Sequence, residues 1–192
     1  FDDELSIGLR LETEHFFKAF LDENIPVQKM LTADFTYLNE RVASHYGIEG
    51  VTGSEIRRVD LSANDKRGGL LTQGSLLTVT SYPARTSPVQ RGKWVLQQML
   101  CDEPAPPPPG VEGLAEELSP TASLRERLEQ HRAAPVCAAC HEIMDPIGFA
   151  LEGFNAVGQW REDDNGYAID DSGFFPDGTT FRFVGADGVT PV

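Results

Sequence analysis

Two cysteines three residues apart, followed at once by a histidine, are the residues of this sequence best suited to chemistry. They lie in the stretch PVCAACHEIMDPIGF, residues 135–149, as Cys137, Cys140 and His141. CxxCH is the attachment signature of c-type haem. On a helix, residues three apart project from one face, so each thiol can form a thioether with one haem vinyl group. The spacing therefore predicts one covalent haem c, with Cys137 and Cys140 as anchors and His141 as the proximal iron ligand.

Other uses of a CxxC pair fit the sequence less well. A zinc site needs a second pair of ligands, and the sequence contains no second CxxC and no HxxxH, with only His131 nearby. A thioredoxin-like pair follows a strand in a βαβ context, whereas an amphipathic helix is predicted before Cys137. A CxxCH that arose by chance in a structural loop remains the main alternative.

The second axial position of the iron is harder to assign, and its occupant tunes the reduction potential. No Met or His follows residue 144, which excludes a downstream Met ligand. Met144 itself would emerge on the proximal side of the haem. His131 is the best distal candidate, because it continues the apolar stripe of Leu124 and Leu128. The ten residues from His131 to His141 can span at most about 35 Å, enough to pass the porphyrin edge.

His45 is a weaker distal candidate. It precedes Gly47 at the predicted end of a helix, where a histidine can instead cap carbonyl groups. A third possibility is that no protein side chain binds the second axial position of the iron. Open iron binds peroxide or small gases, whereas two strong ligands favour outer-sphere electron transfer.

Apolar residues that recur every three to four positions predict that most of the chain is helical. The predicted helices cover residues 3–22, 35–46, 87–100 and 122–132, with Asp34, Ser87 and Thr121 as N-caps of the last three. The motif helix should end near Asp145, because a residue before proline avoids helical geometry. A short strand is expected within residues 55–61, strand and buried helix compete over residues 67–81, and turn signals after residue 160 predict short hairpin strands.

These elements predict a mainly α fold, in which a helical region packs against a C-terminal c-type haem region with irregular loops and a few short strands. The proline tract EPAPPPPG must be extended, and it marks a boundary. The expected units are a helical region over 1–102, which would be the end of a larger upstream domain, a Pro-rich linker over 103–120, and a cytochrome c-like region over 121–192.

The charge and apolar content of the chain argue against two classes of partner, nucleic acids and the membrane interior. The net charge is −14, which repels phosphate backbones and argues against a nucleic-acid partner. No run of about 18 apolar residues is present, so no transmembrane segment is expected in this chain.

Two further residue predictions concern a cysteine and a group of cations. Cys101 is expected to be a small buried residue. A cation among Arg85, Arg91 and Lys93 is a candidate partner for haem propionates.

Three segments also carry a resemblance to a known family. They are MLTADFTYLNERVASHYGI, RGGLLTQGSLLTVTSYPARTSPVQRGKWVLQQML and LRERLEQHRAAPVCAACHEIMDPIGFALEGFNAVGQWR. The chain resembles the large multi-domain cytochrome c proteins of planctomycete type, whose constituent domains have no assigned function. The resemblance implies an exported, haem-bearing protein of which this chain is the C-terminal portion or a fragment, and it supplies no reaction.

We therefore expect electron transfer by a covalently attached c-type haem in the periplasm or another extracytoplasmic compartment, where cytochromes mature. The expected partners are a redox protein and other domains of a larger chain or complex. A peroxidase-like haem oxidoreductase with an open distal site and a structural or binding module of a larger cytochrome assembly are the alternatives. An electron carrier is favoured over a catalytic haem enzyme.

Overall fold

The computed structural model of the protein describes residues 1–64, 66–106, 122–174, 180–184 and 188–191. Over these residues the helices are α1 (Asp3–Asp22), α2 (Glu40–Tyr46), α3 (Gly74–Val79), α4 (Pro88–Met99), α5 (Leu124–Arg132) and α6 (Pro135–Phe149), with 3-10 turns at Val27–Met30 and Leu70–Thr72. The strands are β1 (Phe35–Leu38), β2 (Arg57–Asp60), β3 (Asp163–Asp164), β4 (Tyr167–Ala168), β5 (Gly173–Phe174), β6 (Thr180–Val184) and β7 (Gly188–Pro191). This confirms a mainly α-helical fold with short strands.

The strands form three small antiparallel sheets, β1–β2, β3–β4 and β5–β6–β7. Asn165 and Gly166 connect β3 to β4 with φ angles of 53° and 83°. A two-residue Asn-Gly hairpin turn needs positive φ at both positions. The short hairpins predicted after residue 160 are therefore confirmed.

The helix predicted over residues 35–46 is wrong in its first part. Residues Phe35–Leu38 form β1, which pairs with β2 from Phe35 opposite Asp60 to Leu38 opposite Arg57. The N-cap of α2 is Asn39 rather than Asp34, and its side chain accepts a hydrogen bond from the Val42 backbone N–H at 3.0 Å. The strand depends on a partner about twenty residues away, which local apolar spacing does not reveal.

The structure also decides one open alternative, confirms one predicted helix cap and places another cap at a different residue. The region 67–81, where strand and buried helix competed, is helical, as the Leu70–Thr72 turn and α3. Ser87 caps α4 by accepting a hydrogen bond from the Gln90 backbone N–H at 3.2 Å, with Pro88 in the first turn. The cap of α5 is Ser123. Thr121, the predicted cap, and most of the predicted linker lie outside the described residues.

Apolar side chains from distant parts of the chain form the main core. Phe16 and Phe20 of α1 pack with Phe35 of β1, Leu77 of α3 and Phe154, which follows α6. A second apolar cluster lies between α1 and α2, and a third lies between α5 and α6. None of the helices in the described ranges has the length and apolar character to cross a membrane.

A buried carboxylate group lies beside this core. Glu12 of α1 is fully buried, and its two oxygens accept hydrogen bonds from Thr36 Oγ1 and Tyr46 Oη, each at 2.6 Å. Tyr46 Oη also accepts a hydrogen bond from the Gly74 backbone N–H at 2.7 Å, and the Arg67 guanidinium lies 3.6 Å from the centre of the Tyr46 ring. Burial raises the pKa of Glu12, because the charged form loses its hydration.

Glu12 should make the free energy of unfolding depend on pH. Because its pKa is raised on folding, its contribution is fully present below pH 4.5, its ordinary pKa, and is lost as the pH rises through the folded value. We expect the stability of the wild type relative to Glu12→Gln to fall above pH 4.5 and then to level off. Urea titrations from about pH 4 to about pH 8 measure this difference.

Glu14→Gln is the matched control, because Glu14 is an exposed carboxylate on the same helix. A wild-type advantage over Glu12→Gln that stays constant or grows with pH would contradict the assignment.

Candidate functional site

The Cys-His motif lies on α6, and direct packing against α4 fixes the position of that helix. Gly92 of α4 lies against the backbone carbonyl of Met144, and Gly148 of α6 lies against the backbone carbonyl of Pro88. A Cβ atom at either glycine would overlap the facing carbonyl. The two helices therefore approach closely enough for their backbones to touch, at points on both sides of Asp145.

The predicted end of the motif helix near Asp145 is wrong. Helix α6 continues through Pro146 to Phe149. A proline in a helix interior costs about 3 kcal/mol, because it removes one hydrogen bond and crowds the preceding turn. Burial of Phe149 against α5 and the close approach of Gly148 to α4 offset this cost, so tertiary packing outweighs the local preference.

A buried arginine of α4 holds the segment that follows α6. Arg91 donates hydrogen bonds to the carbonyls of Leu151 at 2.7 Å, Phe154 at 2.9 Å and Asn155 at 3.0 Å, and to Glu152 Oε1 at 3.0 Å. Burial lowers the pKa of Arg91 to about 10, so the guanidinium remains charged at neutral pH. These contacts make Arg91 a structural residue and remove it from the three candidate partners for haem propionates.

Both motif thiols are available for bonding. Cys137 and Cys140 are free, half-buried and one helical turn apart on α6. Two neighbouring apolar side chains are exposed: Val136 at 59% and Ile143 at 45% of their surfaces. Exposed apolar side chains beside two free thiols fit a flat apolar group that is bonded at its edge, as the porphyrin of haem c is.

The ring of His141 is oriented by a carboxylate. His141 Nδ1 donates a hydrogen bond to Oδ1 of the buried Asp145 at 2.9 Å. This contact places the proton of a neutral ring on Nδ1 and leaves Nε2 without a hydrogen-bond partner among the described residues. Metal-binding histidines commonly donate their second N–H to a carboxylate in this way. The residues of the motif therefore fit a haem with His141 Nε2 on the iron.

The two distal candidates lie in different environments. The ring centres of His131 and His141 are 5.0 Å apart, with an angle of 80° between the planes, and no hydrogen bond of the His131 ring is found within the described residues. Two imidazoles on one metal have centres about 6 Å apart, because each metal–nitrogen bond is about 2 Å. His45 instead hydrogen-bonds through Nε2 to the Val157 carbonyl at 2.8 Å.

Among the residues that the structure describes, no group of three or more His, Cys, Asp or Glu side chains is arranged to hold a metal ion. A haem c site does not need such a group. Its cysteine sulfurs bond to carbon atoms of the porphyrin, and only the axial ligands reach the iron.

Comparison with protein families gives two matches. The family model of PSCyt3, a protein of unknown function (DUF1588), matches residues 67–164, just over half of the chain, and that of PSD4, a protein of unknown function (DUF1592), matches residues 1–48. The chain belongs to the PSCyt3 family. Both domains are found in planctomycete-type cytochrome c proteins. No curated protein and no solved structure matches the chain.

The PSCyt3 match spans α3 to α6 and so contains both glycine contacts and the Cys-His motif. Sequence reasoning missed Asp145, although the spacing CxxCHxxxD places it four residues after His141 on the same helix face. It also misplaced Cys101, which is exposed with a φ of 54° just beyond the end of α4.

The packing of α4 against α6 leads to a prediction in which two effects have opposite signs. Helix propensity alone favours alanine over glycine by about 1 kcal/mol, whereas overlap of a new Cβ with the Met144 carbonyl should cost about 1–3 kcal/mol or more. We expect Gly92→Ala to lower the free energy of unfolding, as measured by urea titration. Gln98→Ala, at an exposed position of α4, is the control and should change stability little. A stabilised Gly92→Ala protein would show that the backbones do not touch.

Proposed function

We propose that this PSCyt3 protein transfers electrons through one haem c attached to Cys137 and Cys140, with His141 as an axial ligand. The observation that supports this most directly is the contact between His141 and Asp145. It leaves Nε2 of His141 available directly after two free thiols on one helix. When bound, a haem would supply a one-electron iron couple at this position.

The residues around the motif support attachment at the protein surface. Val136 and Ile143 are exposed and apolar, so they can cover one face of a porphyrin that the two thiols hold at its edge. Burying such side chains contributes about 25 cal/mol per Å² of apolar surface removed from water. A haem bound here would keep part of its edge near the surface, which suits electron exchange with a partner protein.

His131 is proposed as the second axial ligand. Its ring lies 5.0 Å from that of His141, close to the separation that a shared metal requires, and the described residues offer it no competing hydrogen bond. Nε2 of His45 is instead hydrogen-bonded to the Val157 carbonyl. Two histidine ligands favour outer-sphere electron transfer over binding of peroxide or gases, which supports an electron carrier over a haem enzyme.

The proposed partner is a redox protein with a basic docking surface. The chain has 30 acidic and 16 basic residues, excluding histidine. Opposite charge on a partner would speed encounter and orient the complex. The proposed location is outside the cytoplasm, where c-type haem is attached.

The first test is attachment itself. Protein from cells with working cytochrome-maturation machinery should carry a mass increment of roughly 600 Da, expected for covalent c-type haem, and give a c-type pyridine haemochrome spectrum. Replacing both Cys137 and Cys140 with Ala should abolish the increment. Cys101→Ala, which removes the exposed cysteine outside the motif, should retain it. Wild-type protein from such cells that has the mass of the polypeptide alone would refute the proposal.

The second test concerns the distal ligand. The wild-type absorption spectrum should be that of a low-spin, six-coordinate haem that binds carbon monoxide slowly. His131→Ala should convert the spectrum to high spin and speed carbon monoxide binding, because the sixth position opens. His45→Ala is the control and should remain low-spin. Rapid carbon monoxide binding by the wild type would instead favour the alternative, a haem oxidoreductase with an open distal site.

A further inference from the structure

Asp145 makes fewer hydrogen bonds than the other buried charged side chains that the structure describes. Its side chain is fully buried on α6, and His141 is its hydrogen-bond partner through Oδ1. Its second oxygen, Oδ2, is buried without a hydrogen-bond partner in the described part of the chain. An isolated buried carboxylate is costly, because it gives up hydration for few hydrogen bonds. Packing alone does not explain an aspartate at this position.

The neighbouring buried charges are engaged elsewhere. Arg91, on the helix packed against α6, donates to three carbonyls and to Glu152. Glu152 is further bonded to Thr86 Oγ1 at 2.7 Å and to Arg161 at 3.1 Å. These groups form a network of their own, so the negative charge of Asp145 acts mainly on the ring of His141.

The backbone beside Asp145 is held firmly. The carbonyl of Met144, the preceding residue, lies against Gly92 of α4, and Pro146 and Gly148 follow in the buried part of α6. The spacing of four residues places Asp145 one turn after His141 on the same face. The acceptor for Nδ1 is therefore set by helix packing rather than by a mobile loop.

We propose that Asp145 is the positioning residue of the haem site: it holds the Nδ1 proton of His141, aims Nε2 at the iron and lowers the reduction potential. This inference rests on the proposed haem attachment. A carboxylate bonded to the far nitrogen makes the imidazole a stronger donor. In a site of low dielectric constant its negative charge also favours the ferric state, which carries one more positive charge than the ferrous state.

The decisive comparison is between the haem-bearing wild type and Asp145→Asn. Asparagine has nearly the same size and can still accept a hydrogen bond, but it carries no charge. Outer-shell partners of metal ligands are typically worth about 10–100-fold in metal affinity or activity. A loss of that size that falls on the ferric state raises a one-electron potential by about 59 mV per tenfold. We expect Asp145→Asn to keep its covalent haem and to have a reduction potential that is more positive by about 59 mV to about 120 mV, the equivalent of about 10–100-fold.

Glu142→Gln is the matched control, because Glu142 is an exposed carboxylate directly after His141 on the same helix. It removes the same charge without touching the Nδ1 contact, so its potential should stay near that of the wild type. Asp145→Glu keeps the charge and should lie closer to the wild type than Asp145→Asn does. Equal potentials for Asp145→Asn and Glu142→Gln would overturn the inference while leaving haem attachment intact. Absence of haem from the wild type would overturn the proposed function itself.

A measurement on the wild type keeps the inference testable if Asp145→Asn does not fold. In the ferrous low-spin protein, nuclear magnetic resonance should detect an Nδ1 proton on His141 that exchanges slowly with water, because it is donated to a buried carboxylate. An Nδ1 proton that exchanges rapidly with solvent would show that the contact is absent in the haem-bearing protein, and would refute the positioning role.

Discussion

The close contact between α4 and α6 is the constraint on which the rest of the site depends. At Gly92 and Gly148 the two backbones touch without intervening side chains. This contact holds α6 in helical geometry through Pro146, where local preference alone would end it. It also fixes the turn that carries His141 and Asp145, so the orientation of the histidine ring follows from backbone packing.

Buried charges in this chain serve two different purposes. Glu12 accepts two hydrogen bonds and Arg91 donates to three carbonyls and to Glu152, and these contacts join segments that are distant in sequence. Asp145 has a single partner and an unpaired second oxygen. The first arrangement recovers much of the cost of burial, whereas the second leaves a negative charge directed at one imidazole. That contrast separates structural charges from the one at the candidate site.

The two family segments pack into one core rather than standing apart. The PSD4 match contributes Phe16 and Glu12, and the PSCyt3 match contributes Leu77 and Arg67. Arg67 lies over the Tyr46 ring, whose hydroxyl group donates to Glu12, so polar contacts and apolar contacts cross the same junction. The helix with the Cys-His motif is thus supported, through α4, by residues from both segments.

The sequence alone identified the candidate site residues and predicted most helices. The motif, the Ser87 cap of α4 and the Asn-Gly turn depend on residues a few positions apart, and such short-range patterns are visible in a sequence. Only the tertiary structure decided that Phe35–Leu38 form a strand, that α6 passes through Pro146, and that His131 lies beside His141. Each of these depends on contacts between elements, where packing free energy exceeds the small local preferences that a sequence displays.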